Sequence, residues 1–139
     1  AEKLLTNGIR GSLKYSDFEW CSWTNNDSVS FTIDLLKPEV LNTLTLGCIT
    51  NNGMAIHKPA SVKVEVSDDN SNFREAAMQS FTPEEIFREG NFIENLPLKL
   101  GGTQGRYVRV SAKGPGVCPA SHVRSGQASR IFFDEVMLE

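Results

Sequence analysis

The chain closes on Arg130-Ile-Phe-Phe-Asp-Glu-Val-Met-Leu-Glu139, a stretch that is apolar on both faces of an extended strand. Ile131, Phe133 and Met137 alternate with Phe132, Val136 and Leu138, and a strand of that kind has to be covered on both sides. It belongs at the centre of a β-structure. It also carries Asp134 and Glu135 inward, and strict alternation sends these adjacent carboxylates to opposite faces. A buried carboxylate needs a cation, a metal or several hydrogen-bond donors.

The rest of the chain supplies partners for such a strand. Val29–Leu35, Leu44–Ile49, Ser61–Ser67 and Arg106–Ala112 alternate apolar with polar residues, and Phe73–Ala77 reads as the return strand of a hairpin turned by Asp68-Asp-Asn-Ser-Asn72. Phe92–Leu100 is a further strand, with Pro97 marking an edge or a bulge. Thr82-Pro-Glu-Glu85 has a capping Thr, Pro at the first helical position and Glu at the third, so a helix of a turn or two starts there and Gly90 stops it. At least seven short strands and one brief helix predict an all-β fold, a sandwich or barrel. The segments 14–28, 50–60 and 113–129 are longer than hairpins need, and loops of that length are usually binding loops.

With 139 residues the chain is sized for one domain, 1–139, and its 22% charged and 40% hydrophobic residues are ordinary for a globular fold. A net charge of -3 with scattered Lys and Arg leaves no footprint for nucleic acid. No apolar run approaches the roughly 20 residues that span a bilayer. The first residue is Ala1, not an initiator Met, and no signal peptide precedes it, so a processed or excised piece of a longer protein is expected. Cys21, Cys48 and Cys118 lack metal spacing and cannot all pair within one chain. Cys48 reads as a core residue; for Cys118 a disulfide, a free thiol and simple packing all stay open. An enzyme reading is weak, because only two histidines exist and no Gly-x-Ser-x-Gly or zinc-binding His pair occurs. Asp134 and Glu135, on opposite faces, could not flank one glycosidic bond.

Leu5-Thr-Asn-Gly, Phe31-Thr-Ile-Asp-Leu35, Pro59-Ala-Ser-Val-Lys-Val-Glu-Val-Ser67, Arg106-Tyr-Val-Arg-Val110 and Phe132-Phe-Asp-Glu-Val136 stand in an order and spacing that resembles a coagulation factor V/VIII type C, or discoidin-like, domain. The loop Gly116-Val-Cys-Pro119 with His122 is most similar to family 32 carbohydrate-binding modules appended to bacterial exo-glycosidases, notably Bacteroides β-hexosaminidases (chitobiases). The resemblance implies a jelly-roll β-sandwich, a non-catalytic sugar-binding role and one structural calcium. It implies a C-terminal accessory module of a secreted glycosidase, found outside the cell, in the periplasm or on the bacterial surface. A structural domain packed on the catalytic domain, or a protein-interaction module, are the alternatives. The polar loops argue against membrane insertion, and a monomer is expected.

For calcium, the resemblance places oxygen ligands at Asn7, Ser12 and Glu135, a set suited to a hard cation. The other reading pairs Glu135 with Arg10 or Arg106. For sugar, an aromatic face and convergent polar groups are required. Trp23 is the candidate platform, Trp20 reads as a packing residue, and Asn52, His57, His122 and Arg130 are the polar candidates, with Tyr15, Asn51 and Arg124 nearby. His57 reads equally as a surface residue. The expected ligands are terminal galactose or N-acetylhexosamine. The chain departs from the family at Ala55, at Ala120-Ser121 and at Arg130, where aromatic residues are common.

Overall fold

The computed structural model describes residues 21–24 and 28–139. Its strands are β1 (Cys21–Thr24), β2 (Ser28–Asn51), β3 (Ser61–Ser67), β4 (Phe73–Ser80), β5 (Asn91–Lys113) and β6 (Arg130–Leu138), with one short helix, α1 (Pro83–Ile86). They form a six-stranded antiparallel sheet in the order β1-β6-β2-β5-β3-β4.

The long pair β2–β5 turns this sheet into two layers. Register breaks between Asp34 and Glu39, where Leu36 takes a φ of 72°, and between Leu41 and Thr43, opposite Gly101 and Gly102 at φ 65° and 75°. A left-handed backbone is open to glycine at little cost, which is why the corner falls there. Beyond the corner one half of the pair continues into β6 and β1, the other into β3 and β4. Leu44, Leu46, Leu96, Leu98 and Phe133 from the first half join Val62, Val64, Val66, Val108 and Val110 from the second in one buried cluster. The halves therefore face each other across a common core, and the expected β-sandwich with one short helix is what the chain forms.

Two expectations change at this level. Val29–Leu35 and Leu44–Ile49 are parts of β2, and Phe92–Leu100 and Arg106–Ala112 are parts of β5; β1 was not anticipated. Among the described residues six strands stand where alternation suggested seven or more, because alternation sees the corner as an interruption. β6 is interior to its layer, paired with β1 and β2, and residues 131–136 are all buried. Its alternation, however, breaks. Val136 faces Leu46 and Phe133 faces Cys48, so Asp134 and Glu135 together stand opposite the single residue Gly47. This is a β-bulge, and it keeps Phe133 and Val136 in the same core. The opposite-face placement of the two carboxylates assumed an unbroken period of two, which the bulge interrupts.

Pro97 lies in the half of β5 that, among the described residues, pairs with β2 alone, the edge position of the expected edge or bulge. Arg106 places Nε 2.7 Å from Asp34 Oδ1 and Nη2 3.0 Å from Oδ2. That fork commits Arg106 to Asp34, so the expected alternative of an Arg106–Glu135 pair fails. Arg10 lies outside the described residues.

Candidate functional site

β6 and the segment that follows β2 build the site together. Arg130 N–H donates to Ala55 O at 2.9 Å and its carbonyl accepts from His57 N–H at 2.9 Å, so Ala55–His57 is laid along the start of β6. Ile56 then packs with Ile49 and Phe132 in a second buried cluster. Lys58 is drawn under as well, its Nζ 3.2 Å from Glu94 Oε2 and 4.6 Å from the centre of the Phe81 ring. His57 has no exposed surface. As a direct sugar contact, and equally as a surface residue, His57 is corrected by this burial: in this position it touches protein only.

Three sequence segments converge above His57. Asn52 opens a single 3-10 turn, Asn52–Met54, and its N–H donates to Gly90 O at 3.1 Å. The chain leaving α1 brings Phe87 and Glu89. The loop between β5 and β6 brings Pro119, Ser121, His122 and Val123, closed on itself by hydrogen bonds of Cys118 N–H to Gln127 O and of Gly126 N–H to Cys118 O. Cys118 is a buried free thiol. Together these residues line a cleft of about 450 Å³.

Hydrogen bonding fixes the chemistry of that cleft. Asn52 Oδ1 lies 2.9 Å from His57 Nε2 and 2.7 Å from His122 Nε2. An amide oxygen only accepts, and its two lone pairs take one imidazole N–H each. The second nitrogen of His122 accepts from Arg124 N–H at 2.9 Å, and that of His57 contacts the Ser129 hydroxyl. Both nitrogens of both rings are thus engaged, leaving neither as a free base. Burial, and next the neighbouring His122, push the His57 pKa down to about 4. Phe87 meets both imidazoles edge to face, at 4.8 Å from His57 and 6.4 Å from His122. What remains for a ligand is the Nδ2 amide of Asn52, the Ser121 hydroxyl, the Glu89 carboxylate, and the apolar surface of Phe87, Pro119 and Val123.

Of the expected polar residues, the structure therefore brings Asn52, His57 and His122 together. Arg130 does not line the cleft; its side chain is exposed and its backbone does the holding. Arg124 is tied to Gly53 O and, at 3.1 Å, to Gln127 Oε1. The strand of Trp23 pairs with Ile131, but the Trp23 side chain lies outside the described residues, as do Asn7, Ser12, Tyr15 and Trp20. Glu135 is buried in the β6 bulge, and among the described residues no group of three or more His, Cys, Asp or Glu side chains could hold a metal. Phe87 and Glu89 were missed by sequence reasoning. The available signal was the capping box, which fixes where α1 ends and so places an aromatic residue just past its exit.

Comparison with known proteins adds to this geometry. The family model of the F5/8 type C domain matches residues 2–125. The chain belongs to that family. Solved structures with this F5/8 type C fold include the C-terminal domain of a chitobiase from Bacteroides fragilis, 16% identical, with a TM-score of 0.55 over 100% of this chain and 79% of that one. The carbohydrate-binding module CBM32-1 from a family 31 glycoside hydrolase of Clostridium perfringens is 12% identical, with a TM-score of 0.61 over 99% of this chain and 83% of that one. A fucose binding module from Streptococcus pneumoniae is 16% identical, with a TM-score of 0.56 over 99% and 83% of the two chains. At these identities the likeness shows the F5/8 type C fold. No curated protein sequence matches the chain.

Proposed function

We propose that this F5/8 type C domain is a non-catalytic carbohydrate-binding module that holds a glycoside hydrolase, of the β-hexosaminidase type, near terminal sugars of its glycan substrate. One observation carries the reading. Asn52 has its oxygen committed to two histidines and its Nδ2 left over, in a cleft that also offers the Glu89 carboxylate and the ring of Phe87. Donor, acceptor and apolar face within one shallow cleft are what a pyranose requires, since it is ringed by hydroxyls and has an apolar side. Phe87 supplies an aromatic in a protein that lacks the family's common ones at positions 55 and 130. The likeness to modules of glycoside hydrolases supports the same reading. Galactose and N-acetylhexosamines are the proposed ligands, with Trp23 as a second platform. Shallow sites of this kind bind at about 10⁻³ to 10⁻⁴ M, or about 4 to 5.5 kcal/mol.

Titrating the domain with galactose, N-acetylgalactosamine and N-acetylglucosamine, followed by amide NMR, tests the proposal. Shifts confined to Trp23, Asn52, Phe87–Glu89 and Ser121–Val123 are expected. No shift with any of the three sugars would overturn it and leave docking onto a catalytic domain as the role.

A structural calcium, coordinated by Asn7, Ser12 and Glu135, is proposed with it. Calcium would take the Glu135 carboxylate as an oxygen ligand beside the side-chain oxygens of Asn7 and Ser12. Secretion, to the periplasm or the outer surface, follows from the proposed substrate, since glycans of this kind lie outside the cytoplasm.

A further inference from the structure

The polarity of the cleft is set by hydrogen bonds behind its lining. An Asn side chain presents either its oxygen or its nitrogen with little change of shape. At Asn52 the choice is made 70 residues away in sequence. Arg124 N–H donates to His122 Nδ1 at 2.9 Å, so the proton of the neutral ring sits on Nε2, 2.7 Å from Asn52. Asn52 must answer with Oδ1. His57 approaches the same oxygen through Nε2 at 2.9 Å, so its proton is there too, and its Nδ1 accepts from the Ser129 hydroxyl. A flipped amide would set its NH₂ group against the N–H that Arg124 fixes on His122 Nε2 and leave buried donors unpaired.

The geometry points to Ser129, His57 and His122 as a positioning relay that locks the Asn52 amide with Nδ2 toward the cleft. Ser129 and His57 are both fully buried and act only through Asn52. The occupant consequently meets fixed N–H donors and has to present an acceptor oxygen, a hydroxyl or a carbonyl. The functional arm of this inference rests on the sugar-binding proposal; the tautomers do not.

Two measurements on the whole domain test it. Long-range proton–nitrogen NMR spectra at neutral pH, without ligand, are expected to show both imidazoles as the Nε2–H tautomer; an Nδ1–H tautomer at either ring overturns the relay. N-acetylgalactosamine affinity then separates positioning from support. Ser129→Ala is expected to weaken binding by about threefold or more, the scale of one hydrogen bond. His57→Gln, whose terminal N–H can replace Nε2–H, is expected to stay within about twofold of wild type. A residue that only supported the fold would lower the melting temperature and leave the affinity of the folded protein unchanged, and that result for Ser129→Ala also overturns the relay. If the wild-type domain binds none of the sugars, the proposed function falls while the tautomers still decide the relay.

Discussion

At His57 the loss of solvent, and next the neighbouring His122, both disfavour the charged ring, which stays neutral down to about pH 4. An unfolded His takes up its proton near 6.5. Below that pH the unfolded chain binds a proton that the folded one refuses, so stability is full above about 6.5 and falls as pH drops toward 4. The loss is on the order of 2–3 kcal/mol. Urea unfolding at pH 7.5, 6, 5 and 4.5 is expected to show it, and His57→Gln to flatten that part of the profile. Gly105 is a second residue fixed by its surroundings. A Cβ there would overlap Val66 Cγ1 and come within 3.2 Å of Ser67 O, just past the Ser67–Tyr107 end of the β3–β5 ladder. Gly105→Ala is expected to cost about 1–3 kcal/mol in chemical denaturation, the usual penalty for overpacking a core.

At the scale of elements, α1 is held by its capping box. Thr82 Oγ1 accepts from Glu85 N–H at 3.3 Å, and Glu85 Oε1 accepts from Thr82 N–H at 3.1 Å. A helix of four residues has little else to hold it, yet it buries Ile86 in the core and delivers Phe87 to the cleft. Thr82→Ala is expected to lower stability by about 1 kcal/mol and to weaken sugar binding as Phe87 loosens, whereas Thr82→Ser should preserve both. The capping box was legible because all its partners lie within four residues. The β6 bulge was not. Alternation counts residues along one strand, and only the pairing with Leu46 and Cys48 reveals that two residues oppose one. The corner in β2 hid for the same reason: Asp34–Glu39 looks like a loop until Tyr107 and Gly105 are seen to continue the ladder across it.

For the whole molecule, the proposed calcium makes a prediction that sugar binding does not. A ligand that binds only the folded state at a hundred times its dissociation constant stabilises by about 2.7 kcal/mol. Calcium is therefore expected to raise the melting temperature by several degrees and chelator to reverse it. A melting curve indifferent to both would remove Asn7, Ser12 and Glu135 from any metal site. The amino-acid sequence by itself determined the all-β class, the inward-facing valines of β3, the short helix and its start, and the central place of the last strand. These depend on chain-local chemistry: alternation, turn residues and caps. Only the tertiary structure decided the site. Asn52, Phe87 and His122 meet because sheet register and loop closure bring three distant segments together. Burial then turned His57 from a candidate contact into a support, because the backbone of Arg130 draws it under β6.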